Sequence, residues 1–343
     1  KSTALEPTKA ELKKLNGIQK VFRLLPVYGL PIFTVALILI FSIVLPDTFP
    51  TMLNFRSILN DKSIIAILSL APMIPMIAGT ILTVGYGIVL WHVLAIALQT
   101  RLGFSWPVAC LIVLCFGCIL GAINGFLVEL AQIDSFIATL GTGTILYAVS
   151  LWYSEGRQVI GVLPRGFTDL YASMPLGIPI SAFYVIALAI LLWIVAEYLP
   201  IGRYLYAIGA NQRAALLNGI PTRRFVIGSF VASGILGAVA GILLAARLRI
   251  GQASVGLEFL LPSLVGAFLG STTIKPGRVN VLGTIMGVVI LAVGISGIQQ
   301  LGGDFYVEPL FNGITLLIAI GLAGYAQRRR GTVKHARKNT ADS

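Results

Sequence analysis

Residues 225–246 read FVIGSFVASGILGAVAGILLAA, 22 residues without a charge, held between Arg223-Arg224 on one side and Arg247 on the other. At 1.5 Å per residue, a helix of this length spans roughly 33 Å, enough for the ~30 Å hydrocarbon core of a bilayer. A surface helix of a soluble domain would carry a polar stripe along one face. Here only Ser229 and Ser233 interrupt the apolar run. The stretch reads as a membrane span.

Comparable clear runs lie at residues 28–45, 64–83, 107–127, 180–199, 281–298 and 310–325. Shorter or more interrupted ones lie at 86–98, 136–152 and 260–269. The predicted fold is therefore all-α: a polytopic transmembrane helical bundle of about ten spans. Composition agrees. The 343 residues are 57% hydrophobic and 11% charged, with 37 glycines and a mean hydropathy of +0.92. A soluble domain carries roughly 25% charged residues to keep its surface wet. The missing polar surface must face lipid.

The net charge of +12 does not point to nucleic acid, because the basic residues flank apolar spans instead of forming a patch. Such flanking charge marks the cytoplasmic side and contact with anionic lipid. Lys9, Lys13, Lys14, Lys20 and Arg23 precede the first span; Arg203, Arg213, Arg223 and Arg224 follow the sixth. The hairpin Lys275-Pro276-Gly277-Arg278 and the tail at 328–338 hold half of the rest. Even numbers of spans separate these groups, so both termini are expected in the cytoplasm. Asp304 and Glu308 then fall on the outer side. The domain reading is a cytoplasmic tail (1–27), a permease domain (28–326) with a cytoplasmic loop at 200–224, and a basic cytoplasmic tail (327–343). Within the first tail, Thr8-Lys9-Ala10-Glu11 has capping-box spacing and opens an amphipathic pattern suited to the inner leaflet. Residues 1–25 are charged and the first apolar run has no small-residue cleavage pattern, so no cleavable leader is expected.

Small residues recur every four positions: Gly117, Gly121 and Gly125, then Gly237 with Gly241, Gly266 with Gly270, and Gly283 with Gly287. In lipid this spacing permits close backbone approach between helices, and packing is the plain reading. Cys110, Cys115 and Cys118 have no histidine or carboxylate at ligand spacing, so no metal site is expected. Charges within the predicted spans are nearly absent, each one costing at least ~2.5 kcal/mol at mid-bilayer. His92 reads as a satisfied interior histidine in preference to a proton relay. No phosphate loop, His-Glu-x-x-His or nucleophile elbow occurs, so no catalytic residue is expected. Three readings stand: a permease with a separate motor, a secondary carrier or facilitator, or a structural membrane protein.

The segment Gly209-Ala210-Asn211-Gln212-Arg213-Ala214-Ala215-Leu216-Leu217-Asn218-Gly219-Ile220 bears on that choice. Asn211 is a good N-cap, residues 212–218 make two helical turns, and Gly219 is a natural stop. A short capped helix beside the membrane, with small Ala214 and Ala215, suits a docking partner. The pattern Gly-x-Asn-x-x-Ala-Ala-x-x-x-Gly-Ile resembles the coupling loop of ABC-importer permeases of the ribose, xylose, arabinose, galactoside and autoinducer-2 class. Gly121-Ala122-Ile123-Asn124-Gly125, Phe136-Ile137-Ala138-Thr139-Leu140-Gly141-Thr142, Leu269-Gly270-Ser271-Thr272 and Gly283-Thr284 resemble further family segments in the same order.

The resemblance implies a transport subunit without its own cofactor, in the bacterial inner (cytoplasmic) membrane. It would pair with a second permease subunit, identical or paralogous. A cytoplasmic ATPase holding ATP and Mg would drive it, and a periplasmic solute-binding protein would deliver a monosaccharide or sugar-like solute. Gly209, Asn211, Ala214, Ala215, Gly219 and Ile220 would couple to that ATPase. Sugars are held by amide and hydroxyl groups over aromatic faces, which makes Asn124, Phe136, Thr139 and Gln299 the candidate pathway residues. One segment departs from the family: Gly85-Tyr86-Gly87-Ile88-Val89-Leu90-Trp91 stands where ribose-type permeases carry Gly-Ile-Asp-Leu-Ser-Val-Gly.

Overall fold

The computed structural model describes residues 17–80, 85–275, 277–304, 306–318 and 321. Among them the regular structure is helical, and one isolated antiparallel bridge joins Val159 to Gly251. The helices are α1 (Gly17–Val44), α2 (Met52–Ile77), α3 (Gly85–Thr100), α4 (Trp106–Glu129), α5 (Ser135–Ser154), α6 (Arg165–Ala172) and α7 (Ile180–Glu197). There follow α8 (Pro200–Ala210), α9 (Gln212–Leu217), α10 (Thr222–Leu248), a 3-10 segment (Ala253–Phe259), α11 (Leu260–Leu269), α12 (Val281–Gln300) and α13 (Val307–Ile318). Six of them, α2, α4, α5, α7, α10 and α12, are long and apolar enough to cross a bilayer; four shorter apolar helices accompany them. The capping-box pattern at 8–11 and the basic tail at 328–338 lie outside the described residues.

The interior is apolar, and so is much of the outer surface. The most apolar part of α7 has a hydropathy of 2.3 yet is only 17% buried, and it turns Ile186, Ile190 and Leu191 outward. So large an apolar outer surface is a lipid interface. The interior is built around α3 and α10. On α3, Ile88, Val89, Val93, Ala95 and Ile96 are fully buried, as expected of a helix that is apolar all round. On α10, the backbone from Ile227 to Ala238 receives the Gly117-Gly121-Gly125 stripe of α4. A Cβ at Gly117 would lie 2.7 Å from the Gly234 carbonyl, and one at Gly125 would lie 2.9 Å from Ile227 Cα. The small residues therefore pack the helices, as their spacing predicts.

Three features differ from the sequence expectation. First, α2 begins at Met52, well before the predicted start at 64. Thr51 caps it, accepting the Asn54 N–H at 3.2 Å. Its first turns, carrying Asn54, Arg56, Ser57, Asp61 and Lys62, are too low in hydropathy to read as part of a span. Ser57, Asp61 and Lys62 line a polar cavity, and Asn54 bonds Ser296 and Gln300 of α12. Second, residues 200–224 are mostly helical: α8 precedes α9, and α10 starts at Thr222. Third, α6 is an amphipathic surface helix that buries Phe167 and Tyr171, one turn apart, with the Tyr171 hydroxyl donating to the Asn60 carbonyl.

Between α10 and α11 the chain runs irregularly beside α3. A Cβ at Gly251 would lie 3.1 Å from Val93 Cα, and one at Gly256 would lie 2.7 Å from Val89 Cα. Non-helical backbone at membrane depth is tolerated where protein surrounds it. His92 helps: its Nδ1 lies 2.8 Å from the Ile88 carbonyl, and its Nε2 lies 2.8 Å from the Gln252 carbonyl and 3.1 Å from the Gln252 N–H. The histidine is a tie between α3 and this segment.

Candidate functional site

At one end of the bundle stands α9. Asn211 adopts extended backbone and its side chain accepts the Ala214 N–H at 3.0 Å, the N-cap geometry. Asn218 closes the far end, its Nδ2 donating to the Ala214 carbonyl at 2.7 Å. Gly219 follows at φ +80°, the left-handed turn that favours glycine, and Ile220 is half-buried, its N–H on the Ala215 carbonyl at 3.1 Å. Ala214 and Ala215 do not share a face. Ala214 is exposed, whereas Ala215 is 5% exposed and belongs to the core of the bundle. The outward residues are instead Leu216 (60% exposed) and Leu217 (88%).

Three parts of the bundle converge on the root of this helix. Gly209 closes against the end of α2, where a Cβ would overlap the Ile77 carbonyl. The Gln212 Nε2 donates to Glu129 Oε1 at 3.1 Å, tying α9 to the buried last residue of α4. On the neighbouring α8, Tyr206 donates its hydroxyl to the Val279 carbonyl at 2.9 Å, with Arg278 stacked 4.2 Å from its ring centre. Burial pushes the Tyr206 hydroxyl up to about 12, so it remains a donor across the physiological range. Lys275 adds an ion pair of 2.6 Å to Glu197 at the end of α7. The basic segments at 200–224 and 275–278 therefore occupy the same end of the bundle.

The pathway candidates fall in three places. Asn124 and Thr139 meet in a cavity of about 30 Å³ between α3, α4, α5 and α10, lined also by Thr142, Gly87 and Trp91. The Thr142 hydroxyl donates to Asn124 Oδ1 at 2.8 Å. The volume suffices for about two waters and no solute. Trp91 occupies the centre: it is among the largest fully buried side chains, and a Cβ on Gly241 would overlap its own Cβ. The divergent segment 85–91 thus lies beside two of the candidates. Phe136, 44% exposed, sits at the start of α5 outside that cavity.

Gln299 lines a different cavity, about 820 Å³, toward the opposite end of the bundle from α9. Its walls come from α2, the end of α10, the irregular segment, α11, α12 and α13. Two ion pairs cross it: Asp61 to Arg247 at 2.6 Å and Lys62 to Glu308 at 2.8 Å. Beneath them Asn54 Oδ1 accepts from the Ser296 hydroxyl at 3.1 Å and from Gln300 Nε2 at 2.8 Å. Sequence reading missed this cluster because hydropathy placed Asp61 and Lys62 before a span and Arg247 after one. The available signal was the run of polar residues, Asn54 to Lys62, with no turn-forming glycine or proline to break the helix.

A lipid-facing bundle of bilayer-length helices around polar cavities defines a multi-pass membrane permease. Residues 54–322 match the family described as branched-chain amino acid transport system / permease component, and the chain belongs to that family. It is similar to the ribose import permease protein RbsC of Haemophilus influenzae, 30% identical over 83% of this chain and 89% of the relative. It is also similar to two Escherichia coli proteins. The D-allose transport system permease protein AlsC is 26% identical over 86% of this chain and 90% of its own. The probable ABC transporter permease protein YphD is 33% identical over 90% and 92%. No solved structure gives a significant match. As a permease component, the protein is a transport subunit and not an enzyme.

Proposed function

We propose that this permease carries a monosaccharide or sugar-like solute across the bacterial inner membrane, as half of a pathway completed by a second permease subunit, identical or paralogous. A periplasmic solute-binding protein delivers the solute, and a cytoplasmic ATPase, bearing ATP and Mg, drives the cycle. The six long and four shorter apolar helices supply ten spans, with α8, α9 and both termini on the cytoplasmic side. Residues 28–326 form the permease domain, flanked by cytoplasmic tails at 1–27 and 327–343. Relatives named for ribose and D-allose transport support the solute class. The clustering of basic loops at one end supports the orientation.

The observation that carries the reading is α9 itself. Exposed leucines on a capped helix need a partner, and this helix is anchored to α2, α4 and, through α8, to the α11–α12 hairpin. A push on α9 reaches all three as a rigid-body displacement. Gly209, Asn211 and Gly219 shape the connection, Ala215 and Ile220 anchor it, and Ala214, Leu216 and Leu217 meet the ATPase.

The test is reconstitution of the chain with an ATPase subunit and a binding protein in liposomes, measuring ATP hydrolysis and uptake of labelled D-ribose and D-allose. ATP-dependent uptake stimulated by the binding protein is expected. Uptake driven by an ion gradient with no ATPase present would establish the carrier or facilitator reading instead.

A further inference from the structure

We propose that the cavity between α2, α12 and α13 is a binding site for a neutral, polyhydroxylated solute, formed within a single permease chain. The proposal rests on the sugar-importer reading and adds to it where the solute is held.

The volume, about 820 Å³, lies within the roughly 300–1,000 Å³ typical of small-molecule sites. Ala292 lines it eight residues before the end of α12, so it reaches roughly 12 Å below the helix end at 1.5 Å per residue. Polar side chains at that depth are costly in a lipid-embedded fold and mark solute pathways.

The lining sets the chemistry. Asp61 and Lys62, adjacent on α2, are neutralised by Arg247 and Glu308. An anion would have to break an ion pair of 2.6 or 2.8 Å to obtain a cationic partner, and Glu258, on the same lining outside both pairs, adds a negative charge against it. A neutral solute meets neither obstacle. What remains for it is hydrogen bonding. Asn312 lines the cavity at 2% exposure, and its Oδ1 is buried without a hydrogen-bond partner. An unpaired buried amide oxygen costs roughly 1–3 kcal/mol, a cost that a hydroxyl donor removes. Gln299 offers an exposed amide on the same lining. Ile65, Phe259 and Leu261 add apolar surface, which suits the C–H face of a sugar ring. Hydroxyl-seeking amides, closed ion pairs, the Glu258 carboxylate as a further hydroxyl acceptor and an apolar lining together select a polyol over an anion.

The test uses the permease reconstituted with its ATPase and binding protein, and labelled D-ribose and D-allose as probes, with L-leucine, a zwitterion with an apolar side chain and no hydroxyl, as the counter-probe. Asn312→Leu keeps the branched shape, at a somewhat larger volume, and removes the amide; Gln299→Leu changes an exposed position that does not bear on folding. Each variant is expected to lower sugar uptake about tenfold, the equivalent of one lost hydrogen bond, while binding-protein-stimulated ATP hydrolysis stays within about twofold. The preserved hydrolysis reports an assembled complex, so a folding defect is recognised by its loss, and Gln299→Leu then decides. Wild-type uptake by Gln299→Leu and by every assembled variant overturns the site and leaves the sugar reading standing. A wild-type complex that moves L-leucine and neither sugar overturns both.

Discussion

Gly79 and Gly209 meet backbone to backbone: a Cβ on Gly79 would lie 3.4 Å from Gly209 Cα, and one on Gly209 would overlap the Ile77 carbonyl. The contact joins the end of α2 to the last turn of α8, directly before the α9 cap. Since the obstacle is backbone, no side chain can turn away to make room. Gly209→Ala is expected to destabilise the protein by about 1–3 kcal/mol, the usual cost of overpacking, and to lower uptake more than ATP hydrolysis. Gly219→Ala is the comparison. Nothing lies within 4 Å of its Cβ, so only the left-handed φ of +80° is penalised, at about 1 kcal/mol. Thermal unfolding in detergent ranks the two; equal midpoints would refute the close-contact argument.

The exposed face of α9 gives a second expectation. Leu216 and Leu217 contribute little to their own fold because they stand in solvent. Replacing both with serine should leave the thermal midpoint within a degree or two. If an ATPase covers them, the lost burial is at least about 3 kcal/mol, at roughly 1.5–3 kcal/mol per leucine, or more than about hundredfold in affinity. Co-purification of the ATPase with the variant reads this out. Retention at wild-type stoichiometry would place the ATPase contact elsewhere.

Much of this was legible in the sequence, and the failures share one cause. Long apolar runs marked the spans, because lipid imposes both length and composition on a helix. The α9 cap was legible because Asn211 and Gly219 act on their own neighbours. What hydropathy misreads is a helix whose environment is not lipid. The first turns of α2 place Ser57, Asp61 and Lys62 on a polar cavity, so the apolar run that marks the span starts only at 64. The direction of a side chain on a short helix is also not a local property: Ala214 and Ala215 are identical in sequence terms, and only tertiary packing turns one inward. The four pathway candidates scattered for the same reason. Amide and hydroxyl chemistry named Asn124 and Gln299, but the helix arrangement put them in separate cavities.

The α4–α10 seam provides a third expectation. A Cβ at Gly121 would lie 2.7 Å from Val231 Cα, whereas at Gly141 nothing lies within 4 Å. Gly121→Ala should therefore separate the two helices and lower the yield of folded protein, and Gly121→Leu should abolish it. Gly141→Ala should be neutral or stabilising, since alanine is favoured over glycine within a helix by about 1 kcal/mol. Monodispersity by size-exclusion chromatography in detergent separates these outcomes. A well-folded Gly121→Leu variant would show that the stripe is not a packing seam.

The Gln212–Glu129 bond is the remaining mechanical link, and its contribution can be isolated. Glu129 is buried at the end of α4, with Gln212 Nε2 at 3.1 Å from its Oε1. Gln212→Ala removes the donor and leaves a buried carboxylate oxygen without it, which costs roughly 1–3 kcal/mol or more. Glu129→Ala removes the acceptor and leaves an exposed amide that water satisfies. The two variants therefore differ in what they leave behind. If the residues act as a unit, the double variant should be no less stable than Glu129→Ala alone, with an interaction energy of about 1 kcal/mol, inside the range of contacting pairs. The same four proteins, assayed for solute moved per ATP hydrolysed, test the link in function. A rigid tie from α9 to α4 makes that ratio fall in both single variants, because part of the displacement of α9 is then lost before it reaches the bundle. Additive stabilities together with an unchanged ratio would leave Gly209 as the route by which α9 moves the spans.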